Sequence, residues 1–132
     1  MTAALEIVVA LLRDAAGRFY IQRRAESSHQ GNRWEFPGGK CEAGESLPQA
    51  LSRELQEECG VTPVDLWPWR QLEYDYGDRQ VKLHLYLVRQ WLGEVGSREG
   101  LNWRWSTADD LQQLDWPAAN LRFIRDLDQL PD

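Results

Sequence analysis

The chain has 132 residues, 42% hydrophobic and 27% charged, which fits one domain spanning 1–132 and leaves no room for a second of ordinary size. Its 21 acidic and 15 basic side chains give a formal net charge of −6. That balance disfavours non-specific binding to nucleic-acid polymers or anionic membranes.

The first element expected is a hairpin. Leu5 to Leu12 and Phe19 to Gln22 are rich in aliphatic and aromatic residues, and Asp14-Ala-Ala-Gly17 supplies turn chemistry between them. The longest apolar stretch, Ile7 to Leu12, is far shorter than a membrane span, and no Lys or Arg precedes it as a signal peptide requires, so a cytoplasmic protein is expected. Cys41 and Cys59 are too few for a secreted disulfide framework and lack zinc-site spacing, so both are expected as reduced thiols.

Ser46-Leu-Pro-Gln49 has capping-box spacing and predicts a helix that runs to Cys59, with Gly60 as its left-handed cap and Pro63 preventing continuation. Leu72 to Tyr76 and Val81 to Trp91 read as strands joined at Gly77-Asp78, and Trp103 and Trp105 as a further short strand. Thr107, Asp109 and Asp110 mark a helix start, and Pro117 to Leu130 carries Leu121, Ile124, Leu127 and Leu130 at helical spacing. With no repeat or linker, these elements predict an α/β or α+β sandwich with a mixed sheet.

The charge is unevenly spread. Glu35, Glu42, Glu45, Glu54, Glu57 and Glu58, offset only by Lys40 and Arg53, place −4 of the total within residues 35 to 58. On a helix Glu54, Glu57 and Glu58 fall within roughly 100° of one another, on the side that carries Leu47, Ala50 and Leu51. Gln49, Ser52, Arg53 and Gln56 occupy the other side. Carboxylates drawn towards a core repel one another and lose hydration unless compensated, and such an oxygen set suits Mg²⁺ or Mn²⁺. Just upstream, Trp34-Glu-Phe-Pro-Gly-Gly-Lys40 frees backbone groups to approach a ligand, with Lys40 as a possible phosphate contact.

Gly39, five residues, Glu45, seven residues, then Arg53-Glu54-Leu55-X-Glu57-Glu58-X-Gly60-Val61 matches the Nudix box at every defined position. Seven specified residues at fixed offsets coincide by chance on the order of 10⁻⁸ times per start site. The chain thus resembles the Nudix family, and beyond the box it resembles the MutT branch, which clears 8-oxo-dGTP from the nucleotide pool and so avoids mutation. That likeness is carried by Gln22 to Ala25, Trp34 to Lys40, Leu72 to Tyr74, Asp78-Arg79 and Pro117 to Asn120.

The resemblance implies an α/β/α sandwich and Mg²⁺-dependent attack of water on a nucleoside triphosphate, releasing a monophosphate and pyrophosphate, with Mn²⁺ able to substitute. It implies Glu54, Glu57 and Glu58 as metal ligands with the Gly38 carbonyl and Glu99, and Arg53 paired with Glu45 to orient the box. Glu54, with Glu99 as rival, would be the base. Arg24, Lys40 and Arg79 would meet phosphates, Asn120 would read the purine, and Phe36 and Tyr76 would wall the base pocket. Trp34 and Trp116 are the tryptophans with a chance of lining it, while His29 is expected on a surface loop and His84 facing solvent. The partner implied is a small nucleotide, met by a monomer. The same family includes CTP and 5-methyl-dCTP pyrophosphohydrolases, which tend to carry Asp at the Asn120 position, and non-catalytic recognition modules, which usually lack box carboxylates.

Overall fold

A computed structural model describes residues 4–24 and 32–132, so the readings of Ala25 and His29 fall outside the described residues. In chain order the elements are β1 (Leu5–Leu12), β2 (Phe19–Arg23), β3 (Trp34–Glu35), β4 (Gly38–Lys40), α1 (Leu47–Cys59), β5 (Thr62–Pro63), β6 (Trp67–Asp75), β7 (Gln80–Val88), β8 (Trp91–Leu92), β9 (Trp103–Ser106), α2 (Ala108–Leu111) and α3 (Ala118–Ile124). A 3-10 turn at Leu127–Gln129 closes the series. No helix among the described residues is long and apolar enough to cross a membrane.

β1 is the spine. It pairs in parallel with β7 from Leu5 opposite Val81 to Leu12 opposite Val88, and antiparallel with β4 on its other edge. With β6 beyond β7, the mixed sheet runs β4-β1-β7-β6, and a second sheet runs β3-β2-β9. A strand with both edges paired and both faces covered must be apolar throughout, which is why β1 reads as a near-continuous hydrophobic run. Val9 and Leu11 face a core shared with Leu111, Phe123 and Ile124, whereas Val8, Ala10 and Leu12 face a core shared with Ala50, Leu51 and Leu55. Helix α1 therefore covers one side, and α2, α3 and the 3-10 turn cover the other, giving the expected three-layer α/β/α sandwich.

Three expectations change. The turn at Asp14 forms, its carboxylate accepting from the amides of Ala16 and Arg18, but β1 and β2 share only the isolated bridge Arg13–Phe19. Both edges of β1 are already taken, so β2 enters the second sheet and no hairpin ladder results. The strand expected to reach Trp91 ends at Val88, and Trp91–Leu92 pairs separately with Thr62–Pro63. The helix expected over Pro117 to Leu130 stops at Ile124, where Gln112 Nε2 donates to the Ile124 carbonyl at 2.7 Å and the Asp126 carboxylate is drawn to Arg70 at 2.9 Å.

Helix α1, which carries the box, forms as its local chemistry dictates. The Ser46 hydroxyl accepts from the Gln49 amide, the Gln49 side chain returns to the Ser46 amide, and Gly60 closes the helix at φ 73°. Ser46→Ala should lower stability by about 1 kcal/mol, since it leaves an orphan first-turn N–H. Thermal denaturation should register this as a fall in Tm of roughly 3–5 °C; an unchanged Tm would mean the cap contributes nothing.

Candidate active site

Rotation of α1 decides which carboxylates enter the protein. Leu51, Leu55 and Cys59 are fully buried, and Glu58, one turn beyond Glu54, is drawn in with them to 8% exposure. The Glu54 side chain is 14% exposed, but that of Glu57 is 58% exposed. Two of the three carboxylates therefore lie on the buried side as expected, and Glu57 lies at its rim.

The Gly38–Gly39 backbone comes up against this pair. A side chain at Gly38 would collide with the Val8 carbonyl of β1, and a methyl at Gly39 would stand 2.6 Å from the Glu54 carboxyl. Only glycine allows both approaches. The Gly38 amide donates to Glu58 Oε2 at 2.9 Å, and the Gln22 amide donates to Glu58 Oε1 at 3.1 Å.

Arg53 is not part of a solvated face. Its guanidinium donates twice to Glu45, at 2.7 and 3.0 Å, and also reaches Glu54 at 2.9 Å, the Lys40 carbonyl at 3.0 Å and Glu57 at 3.3 Å. It raises its own pKa by these bonds and lowers that of Glu45. The expected Arg53–Glu45 pair is present, and the same guanidinium spans three carboxylates.

Among the described residues no such cation pairs with Glu58. Burial foremost, then the charges of Glu54 and Glu35, push its carboxyl up to about 9. Burial also raises Glu54, whose carboxyl stands one turn from Glu58 on α1. Glu35 is raised by burial against the opposing pull of Arg24, which it meets at 3.0 Å.

Beside Gly38 and Gly39 opens a cavity of about 520 Å³, lined in addition by Arg24, Glu35, Phe36, Tyr76, Arg79, Glu99 and Asn120. Six of these, all but Glu35, were singled out in the sequence. The Tyr76 hydroxyl accepts from the Ala119 amide at 2.9 Å, which ties the loop between β6 and β7 to the start of α3 and fixes where Asn120 stands. Phe36 is almost wholly buried, stacked at 4.9 Å on Trp116.

Four placements differ from expectation. Lys40 is exposed and does not line the cavity; its carbonyl serves Arg53. Trp116 belongs to the core behind Phe36 and donates its indole N–H to Leu111, while Trp34 lies under the guanidinium groups of Arg23 and Arg104; neither lines the cavity. His84 is 8% exposed with Glu6 at 3.4 Å, not solvent-facing. Sequence reasoning missed Glu35, counted only as charge, and Gln22, quoted only as part of a resemblance. For Gln22 the sequence showed only a polar residue two positions from Tyr20 on one strand face; that both are fully buried appears in the structure alone.

The NUDIX domain family matches residues 8–126. The chain belongs to that family. It is 41% identical over 126 residues to the 8-oxo-dGTP diphosphatase of Escherichia coli strain K12, covering 96% of this chain and 98% of that protein. The CTP pyrophosphohydrolase of the same organism is 29% identical, over 91% of this chain and 88% of that one. A solved MutT structure from work on Aliivibrio salmonicida and Vibrio cholerae superposes with a TM-score of 0.84 at 31% identity, covering 95% of this chain and 97% of that one. The Nudix protein described here is a hydrolase acting on phosphoric anhydrides, and its family relatives of this type depend on divalent metal.

The donor set fits such a cation. Among the described residues no three acidic, histidine or cysteine side chains already converge as a cage, because Glu57 turns to Arg53. Yet Glu54 and Glu58 form a carboxyl pair, one member buried, and burial disfavours the charged form of both, which a hard cation at their oxygens would offset. Glu57 stands on the same helix at the rim of this pair, held by Arg53 at 3.3 Å.

A pH prediction follows from Glu58. With its folded pKa raised to about 9, the metal-free native chain holds a proton that the unfolded chain has released, so stability falls as pH rises from about 5 towards 9. The slope is at most about 1.4 kcal/mol per pH unit. Mg²⁺ must displace that proton, so it should raise Tm more at pH 8 than at pH 6. Glu58→Gln should raise the metal-free Tm at pH 8 and remove the Mg²⁺ increment. Equal Mg²⁺ shifts at both pH values would exclude Glu58 from the cation site.

Proposed function

We propose that this protein is an 8-oxo-dGTP diphosphatase, a cytoplasmic monomer that cleaves the oxidised nucleotide to 8-oxo-dGMP and pyrophosphate with Mg²⁺. The observation that carries the reading is the joint lining of one cavity by the Gly38–Gly39 backbone, which backs onto Glu54 and Glu58, and by Asn120. A planar amide both donates and accepts, which suits a purine whose edge has gained an oxygen and a proton. The 41% identity to a protein of that name, against 29% to the CTP enzyme, supports the same choice.

Glu54, Glu57 and Glu58 would hold the cation, with the Gly38 carbonyl and Glu99 completing the set. A bound divalent ion supplies charge neutralisation at the phosphate oxygens and acidifies the attacking water. Arg53 holds Glu54 and Glu57 in orientation and keeps Glu45 ionised beside the helix start. Arg24 and Arg79 line the cavity where a triphosphate would lie, and Glu35 holds the Arg24 guanidinium in place. Phe36 and Tyr76 present ring surface to the base. Glu54 accepts the proton of the attacking water, with Glu99, exposed in the loop before β9 and lining the cavity, as its rival.

The reading is tested with 8-oxo-dGTP, dGTP, CTP and 5-methyl-dCTP in Mg²⁺, with pyrophosphate as the measured product. 8-oxo-dGTP should give the highest kcat/KM. A preference for CTP would replace this reading with the pyrimidine one, and no turnover of any nucleotide would favour a recognition module. Glu54→Gln should lower kcat by at least about 100-fold. Asn120→Ala should reduce kcat/KM for 8-oxo-dGTP roughly tenfold more than for dGTP; equal losses would remove Asn120 from base discrimination.

A further inference from the structure

Gln22 occupies a strand position facing α1 where an apolar residue would fill the space, and it is fully buried. Its amide has three partners. The Tyr20 hydroxyl donates to Oε1 at 2.8 Å, and Nε2 donates to Glu58 at 3.1 Å and to Glu35 at 3.5 Å. Glu35 in turn holds Arg24 with its other oxygen. A continuous hydrogen-bonded path therefore runs from the cavity cation Arg24 through Glu35 and Gln22 to Glu58.

The path has a fixed polarity. Both N–H bonds of the amide point at carboxyl groups, and the reversed amide would set its carbonyl oxygen against them. The Tyr20 hydroxyl, which donates to Oε1, agrees with that direction. That hydroxyl lies beside the side chains of Cys59 and Ser97, and the Ser97 oxygen accepts from the Leu101 amide at 3.0 Å in the loop that carries Glu99. The Tyr20 ring cannot drift, because it stacks on Trp103 at 5.3 Å and meets Trp105 edge-on at 6.1 Å. The same loop is tied to the end of α1 by the Arg98 amide, which donates to the Glu58 carbonyl at 2.7 Å.

We propose that Gln22, oriented by Tyr20, is a positioning residue that presents the Glu58 carboxyl to the divalent cation and couples it to the Glu35–Arg24 pair in the cavity. This rests on the reading of Glu58 as a cation ligand. Groups behind ligands commonly change metal affinity or activity 10- to 100-fold when removed. A buried glutamine that served packing alone would affect Tm and leave metal affinity untouched.

The test measures Mn²⁺ binding directly, from loss of the free Mn²⁺ electron paramagnetic resonance signal, without nucleotide. Gln22→Leu should raise the Mn²⁺ Kd about tenfold or more. It should raise the half-saturating Mg²⁺ for hydrolysis in step, with nucleotide KM at saturating Mg²⁺ changed less than about threefold. Tyr20→Phe keeps the ring stack and should shift Kd the same way by less. On the Gln22→Leu background it should add nothing, since the two act in series. If Gln22→Leu does not fold, Tyr20→Phe carries the test alone. A wild-type Mn²⁺ Kd in a folded Gln22→Leu, or in Tyr20→Phe where that variant carries the test alone, would overturn the proposal, as would additive effects of the pair. Wild-type protein that binds Mn²⁺ but spares 8-oxo-dGTP would refute the substrate assignment and leave the role of Gln22 to be judged by Kd; wild-type protein that binds no Mn²⁺ would refute both.

Discussion

The buried carboxyl of Glu58 is the constraint around which the site is arranged. A carboxylate removed from water without compensation is among the most costly groups a fold can hold, so it is hydrogen-bonded, protonated or paired with a cation. Here the Gly38 amide and the Gln22 amide supply two bonds, and the remaining cost of burial pushes the carboxyl towards its neutral form. Each demand travels outward. Gly38 must approach so closely that no side chain fits between it and β1, and Gln22 must be held with its nitrogen forward, which requires Tyr20. α1 must be set to within a fraction of a turn, and the Ser46–Gln49 box and the Gly60 cap do so.

The scaffold supplies these demands from separate layers. Carboxylates come from α1 on one face of the mixed sheet, whereas Asn120 stands on α3 on the opposite face. A side chain on one helix cannot reach past the sheet to the other. β1 makes their meeting possible at its edge, where the three residues of β4 end the sheet and the Gly38–Gly39 backbone adjoins the cavity. β1 sends alternate residues into both cores, so the relative placement of the two helices is set by one strand with little freedom to slide.

How much of this was legible follows from the range of the interactions. α1 was fully legible because caps and helical spacing are local chemistry, and the box residues share one continuous segment. The cavity residues Arg24, Tyr76, Arg79, Glu99 and Asn120 were found only through resemblance, since they meet across long sequence separations that no spacing records. The hairpin reading failed for the same reason. Both strands and their turn had the right residues, but β7, 76 residues on from β1, and β4, about 30 residues on, claimed the edges of β1. Glu57 and Arg53 were misplaced by treating a helix as a wheel, when a long guanidinium crosses from one face to the next. Trp34 and Trp116 were overrated because an aromatic ring carries no mark of whether it faces ligand or core. Gln22 was unread because a polar residue within a strand ordinarily signals the solvent face.

The net charge of −6 takes on a different sense in this setting. A triphosphate approaching the cavity meets Arg24 already engaged by Glu35, and the other lining arginine, Arg79, is matched in charge by Glu99. The charges lining the cavity cancel, and the segment from residue 35 to residue 58, formally −4, sets the wider field against a triphosphate. Local fields near phosphate sites are dominated by bound divalent ions where these are present. The acidic segment is therefore legible as half of a charge arrangement whose other half is the cation, and affinity for nucleotide and affinity for metal become one linked quantity. Any residue that shapes the Glu58 carboxyl, Gln22 included, then acts on substrate binding through the metal rather than by touching the nucleotide.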